Sequence, residues 1–435
     1  MTAASRISAC ESRVRELLES ALALWRECPA ELPAFDHCFT VPEQAAREAR
    51  MDLFLKTMEG ELRRPPATRA ERQAMHARLT EAFTEFGRTA LNLEEQHLQV
   101  LLAGGFSTIG TAMARQARRF DPSVSIADIF QGTRNAWTAC GLQVLFGGSM
   151  CLSPSIFAYS MLYPYTDNYL DDPATPGETK SGFNRRFYQR LGGEKTAPVG
   201  GHEERIWRLV ELVESQYPRD EFPQVFESLL GIQAAQENGL RLLQKTASLD
   251  DEAVLRLSFE KGGTSVLADG YLASGTLTAE QATFAFHWGV FLQLADDLQD
   301  VQEDLAKGAQ TLFSRAAGRE PLDSLTNRLM QFGGRVMMQM HDLPGVRALP
   351  LRQLITRSCL SFLVRSAGEA RDLYSGEYGA GIESLSPFRF AFLNDRRQRF
   401  ERHSGLLAKL FEAFLAGEPD EPAFPLLPSS LMPRF

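Results

Sequence analysis

The sequence predicts an all-α protein. Apolar residues recur at helical spacing in block after block, alternating apolar and polar runs of the β type are absent, and Gly or Pro clusters separate the periodic blocks. In chain order, Ile7, Val14, Leu17, Leu18, Leu22 and Trp25 mark a first helix, and Pro65-Pro66 marks a loop. Residues 1–90 carry no recognisable motif and read as extra N-terminal helices packed on a main helical domain at 91–416. The stretch 136–166 has no charged residue, but Gly147, Gly148, Ser149, Ser153, Pro154 and Ser155 divide it into two pieces too short for a bilayer span. Residues 192–201, GGEKTAPVGG, form a second clear loop, either a lid over a ligand or a surface connection. Ile206, Leu209, Val210, Leu212 and Val213 mark the helix that follows, and residues 417–435 read as an extended Pro-rich tail.

Composition narrows the function classes. A chain of 435 residues with 44% hydrophobic and 23% charged residues can bury a sizeable core. Its net charge of −9 supplies no basic field for nucleic acid. Cys10, Cys28, Cys38, Cys140, Cys151 and Cys359 include no CxxC pair and no zinc-ligand spacing with histidine, so reduced thiols in the cytoplasm are expected. The N-terminal MTAASRISACESRVRELLES has acidic residues where a signal peptide has its apolar segment.

The chemistry concentrates in two acidic clusters. In residues 289–304, GVFLQLADDLQDVQED, Asp296, Asp300 and Asp304 fall at i, i+4 and i+8, with Asp297 beside the first. On a helix this spacing stacks carboxylates along one face, where like charges repel by a few tenths of a kcal/mol per pair. Such a row gains nothing unless a cation binds it. Residues 163–173, YPYTDNYLDDP, place Asp167 and Asp171 at i, i+4 with Asp172 adjacent, at the end of the uncharged stretch. Mg²⁺ takes octahedral oxygen ligation and is usually completed by substrate phosphates, so two facing Asp rows suit a diphosphate clamped between Mg²⁺ ions. Arg396-Arg397 reads as exposed helix charge.

On these residues the chain resembles the class I isoprenoid synthases. Phe291-Leu292-Gln293 followed by Asp296-Asp297-x-x-Asp300 is similar to the FQxxDDxxD motif of trans-prenyl diphosphate synthases. The triad Asp296, Asp300, Asp304 fits the (N/D)DxxSxxxE pattern of terpene cyclases, and QLADDLQDVQED resembles the QLTNxxRDVxED run of squalene and phytoene synthases. The first cluster, DNYLDD, resembles the first motif of squalene synthase and the DYLDNLCD run of large-terpene synthases. No GKRxRP segment for a second diphosphate is present. The resemblance covers about a fifth of the chain, in windows near 160–190 and 255–315.

The resemblance implies a helical barrel around a central apolar cavity, with one aspartate motif on each of two facing helices. It implies three Mg²⁺ held by Asp167, Asp171, Asp172, Asp296, Asp297, Asp300 and Asp304. It further implies ionisation of a prenyl diphosphate, with Asp167, Asp171, Asp296, Asp300 and Lys261 catalytic and Lys261, Arg256, Arg185, Arg186 and Gln293 on the diphosphate. The paired Gly262-Gly263 after Lys261 is expected to break its helix there. Phe157, Tyr159, Tyr163, Phe284, Phe286, Trp288 and Phe291 are candidates to line the cavity and stabilise a carbocation by cation–π attraction. The expected activity is a terpene synthase, with a head-to-head or chain-elongating prenyltransferase as the alternative and a non-catalytic helical binding protein as the alternative of another class. An apolar product would bring the enzyme near a membrane surface, and a homodimer is compatible with the resemblance.

Overall fold

The computed structural model describes residues 3–35, 37–103, 105–172, 174–243, 249–345, 348–418 and 421; the side chains of residues 3–11, Ala103, Asp171 and Phe400 lie outside the described set. The described residues contain helices and no strand. The first helices are α1 (Ala3–Arg26), α2 (Val41–Leu62), α3 (Arg69–Ala90), the short α4 (Glu95–Leu98) and α5 (Phe106–Phe120). Next come α6 (Ile126–Leu145), α7 (Pro154–Asp171), α8 (Gly177–Leu191), α9 (Gly200–Gln216) and α10 (Pro223–Gly239). They are followed by α11 (Asp251–Ser274), α12 (Ala279–Gln299), α13 (Val301–Lys307), α14 (Leu312–Ala317) and α15 (Asp323–Gln339). The last are α16 (Leu349–Glu369), α17 (Gly376–Glu383), α18 (Phe390–Glu401) and α19 (Ser404–Leu415). The expected tail falls almost wholly outside the described residues.

Local chemistry sets many of these ends. Ser153 caps α7 with Pro154 in its first turn, so the uncharged stretch is divided where its Gly, Ser and Pro residues predict. No described helix is long and apolar enough to cross a membrane. Thr40 with Glu43, Thr68 with Glu71 and Thr278 with Gln281 form capping boxes that start α2, α3 and α12. The loop expected at Pro65-Pro66 separates α2 from α3.

Contacts divide the chain into two compact units, residues 1–33 with 134–348 and residues 34–133 with 349–435. These limits do not coincide with a division at 90 and 416. In the first unit α1 packs on α10, α11, α12 and α15, with Trp25 edge-on to Phe259 at 6.0 Å and to Phe332 at 5.7 Å. The first helix therefore belongs to the unit that carries both acidic clusters. In the second unit α2 pairs with α3, and Phe54 stacks on Phe86 at 4.9 Å.

The pair Gly262-Gly263 does not break its helix, because α11 runs unbroken from Asp251 to Ser274. Its role is close approach. A β-carbon on Gly262 would collide with the Gly289 carbonyl and the Gln293 side chain of α12, and one on Gly289 would collide with the Gly262 carbonyl. Phe286 of α12 fills the space a side chain on Gly263 would need. Glycine is retained at this crossing because the two backbones touch.

Gly289→Ala is therefore expected to lower unfolding free energy by about 1–3 kcal/mol, the usual cost of overpacking. Gly141→Ala in α6, where a β-carbon meets nothing within 4 Å, is the control and should leave stability unchanged or raise it by up to ~1 kcal/mol. Urea unfolding of both variants measures the contrast, and equal effects would contradict the tight crossing.

Candidate active site

The crossing brings one face of α11 against one face of α12, and a cavity of about 220 Å³ opens beside it. It is lined by Asp167 of α7, Lys261 of α11, and Gln293, Asp296, Asp297, Asp300 and Asp304 of the α12–α13 segment. Both acidic clusters thus contribute carboxylates to one cavity. Asp300 ends α12 and begins α13, yet Asp300 N–H bonds to the Asp296 carbonyl at 2.9 Å and Asp304 N–H to the Asp300 carbonyl at 2.8 Å. The four-residue spacing therefore passes through the junction, and the row predicted from sequence stays on one side. The side chain of Asp171 lies outside the described residues.

Each carboxylate has its own environment. Asp167 accepts a hydrogen bond from Gln236 Nε2 of α10 at 3.3 Å. Asp304 accepts one from Thr311 Oγ1 at 3.1 Å; burial raises its pKa, and that bond opposes the rise. Asp297 is buried, and its Oδ1 accepts from Gln293 Nε2 at 2.8 Å while Oδ2 has no partner. Burial pushes the Asp297 carboxyl up to about 7, opposed by the Gln293 hydrogen bond and reinforced by the Asp296 charge. Tyr163 is partly exposed, yet the poorly solvated surroundings of its phenol, and then the charges of Asp167 and Asp296, raise its pKa above the ordinary range. One tyrosine thus feels carboxylates from both helices.

Arg256, Arg185 and Arg186, expected on the diphosphate, and Asp172, expected on the metal, are not among the residues that line this cavity. Arg256 lines a different groove and pairs with Glu19 at 2.8 Å and Glu252 at 3.1 Å. Arg186 pairs with the buried Glu203, Arg185 is exposed, and neither lines the cavity. Asp172 is exposed and closes the turn after α7, accepting from Ala174 N–H at 2.9 Å and Thr175 Oγ1 at 3.0 Å. Those bonds hold its pKa below the usual carboxylate value.

No aromatic side chain is among the lining residues. Phe286 packs on Gly263, Phe291 on Gly333, and Phe284 on Trp288 at 5.4 Å, so these three candidates belong to the core. Phe157, Tyr159, Tyr163 and Trp288 also do not line this cavity. The loop at 192–201 contributes no lining residue, and Trp207 Nε1 donates to the Thr196 carbonyl at 2.6 Å, tying it to α9.

The cavity also contains residues that sequence reading passed over. Asn184 of α8 and Gln233, Gln236 and Glu237 of α10 form a polar wall, and Leu240, Leu242 and Leu243 an apolar one. Gln233, Gln236 and Glu237 at i, i+3 and i+4 share one face of α10, a spacing available in the sequence. Ser258, four residues before Gly262, is buried with an unpartnered Oγ at the cavity.

These residues fit a hard divalent cation with a polyanion. The donors are oxygens, one buried carboxylate oxygen has no protein partner, and Lys261 is the single cation among the lining residues. Among the described residues no group of three or more His, Cys, Asp or Glu forms a ready-made metal cage. Mg²⁺ commonly takes one or two carboxylates and completes its shell with water and phosphate. No family model matches the chain, and no curated protein matches it.

The raised Asp297 pKa makes stability pH-dependent. The folded chain keeps this proton above the ordinary value of 3.8, so in metal-free buffer its contribution to stability falls as pH rises from about 4 to about 7 and then levels. Asp297→Asn preserves the acceptor for Gln293 and removes the titration. Thermal melts should show the variant more stable than wild type at pH 8, with the difference shrinking towards pH 4. An equal difference at both pH values would contradict a buried, titrating Asp297.

Proposed function

We propose that this chain is a Mg²⁺-dependent enzyme of the class I isoprenoid synthase type, acting as a terpene synthase that ionises a prenyl diphosphate and releases pyrophosphate. The observation that carries this reading is a cavity lined both by Asp167 and by Asp296, Asp297, Asp300 and Asp304, with Lys261 as its single cation. The barrel with a central apolar cavity is part of the proposal, supported by the wholly helical fold and by the packing of α11 on both α7 and α12.

The reaction separates an allylic carbocation from pyrophosphate, so the protein must stabilise the departing anion. When bound, Mg²⁺ supplies the positive charge that does so, three ions in the enzymes the chain resembles. The carboxylates of Asp167, Asp296, Asp300 and Asp304 would be the oxygen donors that hold the metal. Lys261 is a point charge for the diphosphate, and Ser258 Oγ and the carboxamides of Asn184 and Gln233 offer neutral donors. Leu240, Leu242 and Leu243 give the prenyl chain an apolar wall and help to exclude water.

Purified protein incubated with Mg²⁺ and prenyl diphosphates of several lengths should release pyrophosphate and hydrocarbon from one allylic substrate alone. A single lining cation suits one diphosphate. Strict dependence on isopentenyl diphosphate would favour the prenyltransferase alternative, and binding without turnover would favour a non-catalytic protein.

Asp167→Ala and Asp296→Ala should abolish pyrophosphate release, while melting temperature in metal-free buffer holds or rises because like-charge repulsion is relieved. Lys261→Ala should cost about 1.5–3 kcal/mol in kcat/KM, the worth of a charge-assisted contact. Arg256→Ala, outside the cavity, should retain activity. Full activity in either Asp variant would remove the basis of the reading.

A further inference from the structure

We propose that the second unit carries a binding pocket for a polyanion bearing at least two phosphate groups. The pocket, about 480 Å³, lies between the C-terminal half of α2 and α18. Four cations line it, Lys56, Arg63, Arg396 and Arg399, against two carboxylates, Asp52 and Glu59.

The carboxylates are already engaged. Arg396 grips Asp52, with Nη2 to Oδ2 at 2.8 Å, and Arg399 grips Glu59 with both Nε and Nη2 at 2.8 Å. Asp395, which is not a lining residue, also touches Arg396. Among the described residues neither Lys56 nor Arg63 has a side-chain partner, although they stand at i, i+7 on the same helix face. Arg63 caps the C-terminus of α2, where the helix dipole favours a cation. That accounts for Arg63 and not for Lys56, nearly two turns further in. The dipole is equivalent to about half a negative charge. Two uncompensated side-chain charges outweigh it.

A second observation is independent of charge. Gly60 lies inside α2 and lines the pocket, and a β-carbon there would meet nothing within 4 Å. Glycine within a helix costs roughly 0.5–1 kcal/mol relative to Ala, and neither packing nor a positive φ requires it here. The missing side chain leaves the helix backbone open to a ligand at this point of the pocket. Lys56 and Arg63 are separated by about 10 Å along the helix axis, more than one phosphate group spans. A diphosphate or longer, free or as the headgroup of a lipid, matches that spread, with Arg giving forked contacts and Lys a point charge.

The test uses the full-length protein in low-salt buffer with EDTA, which removes metal-dependent binding at the aspartate cavity. Calorimetry with inorganic pyrophosphate should show binding in wild type and equally in Asp296→Asn. Binding should be at least tenfold weaker in the Lys56→Ala/Arg63→Ala double variant, whose exposed positions should leave melting unchanged. Gly60→Ala should weaken binding while raising the melting temperature. In a second arm, vesicles of phosphatidylcholine with and without a diphosphate-headed lipid are sedimented with each variant. Capture by the doped vesicles alone, lost in the double variant, assigns the lipid-borne source, and pyrophosphate binding without capture assigns the soluble one. Binding in neither arm, or binding that the double variant leaves intact, overturns the proposal.

Discussion

The contact between the backbones of Gly262 in α11 and Gly289 in α12 fixes the helix crossing beside which the acidic cavity lies. With no side chain at either position, the helices approach until carbonyl oxygen meets α-carbon, and neighbouring residues are fixed by that crossing. Gln293 lies one turn beyond Gly289 and fits against the Gly262 backbone, from which its amide reaches Asp297. Lys261, next to Gly262, is placed beside the same cavity. Packing thus determines which charges meet.

The electrostatics follow from that placement. Six carboxylates and one ammonium line a cavity of about 220 Å³, and one of the carboxylates is buried with an oxygen left over. Unpaired buried polar atoms are costly and rare in folded proteins. Here the cost concentrates beside a row of further carboxylates, where burial and mutual repulsion both raise pKa. A divalent cation relieves both effects at once by supplying charge and accepting oxygen donors. The apo arrangement is consequently least favourable where a metal–diphosphate cluster would be most stabilised.

The second unit shows a different use of charge. Its core is aliphatic and aromatic, with Phe54 stacked on Phe86, while its ion pairs tie distant parts of the chain together. The carboxylate of Glu421 is buried against Arg72 at 2.6 Å, which holds its pKa down to about 2. Arg389 and Arg396 of the C-terminal segment also pair with Glu48 and Asp52 of α2. These pairs cross more than three hundred residues of sequence, and their neutralisation of α2 is what makes Lys56 and Arg63 stand out.

Sequence alone determined the helical class, the division of the uncharged stretch before Pro154, and the grouping of Asp296, Asp300 and Asp304 on one side, because periodicity and capping act over one or two turns. Tertiary structure decided the rest. Lys261 and Arg256 looked equivalent as diphosphate ligands, but five residues turn a helix by about 140°, and Arg256 meets Glu19 of α1 instead of the cavity. Asp172 extends the acidic run in sequence but falls beyond the end of α7, where its carboxylate closes a turn. The Gly262-Gly263 pair has the composition of a helix break, and only the presence of α12 against it makes close packing its role. Likewise Trp25 marks a helix by its spacing, while its partners Phe259 and Phe332, which join α1 to the site-bearing unit, come from the far side of the chain. Local hydrogen bonding is written in neighbouring residues, but the face a side chain meets depends on helices brought together from distant positions.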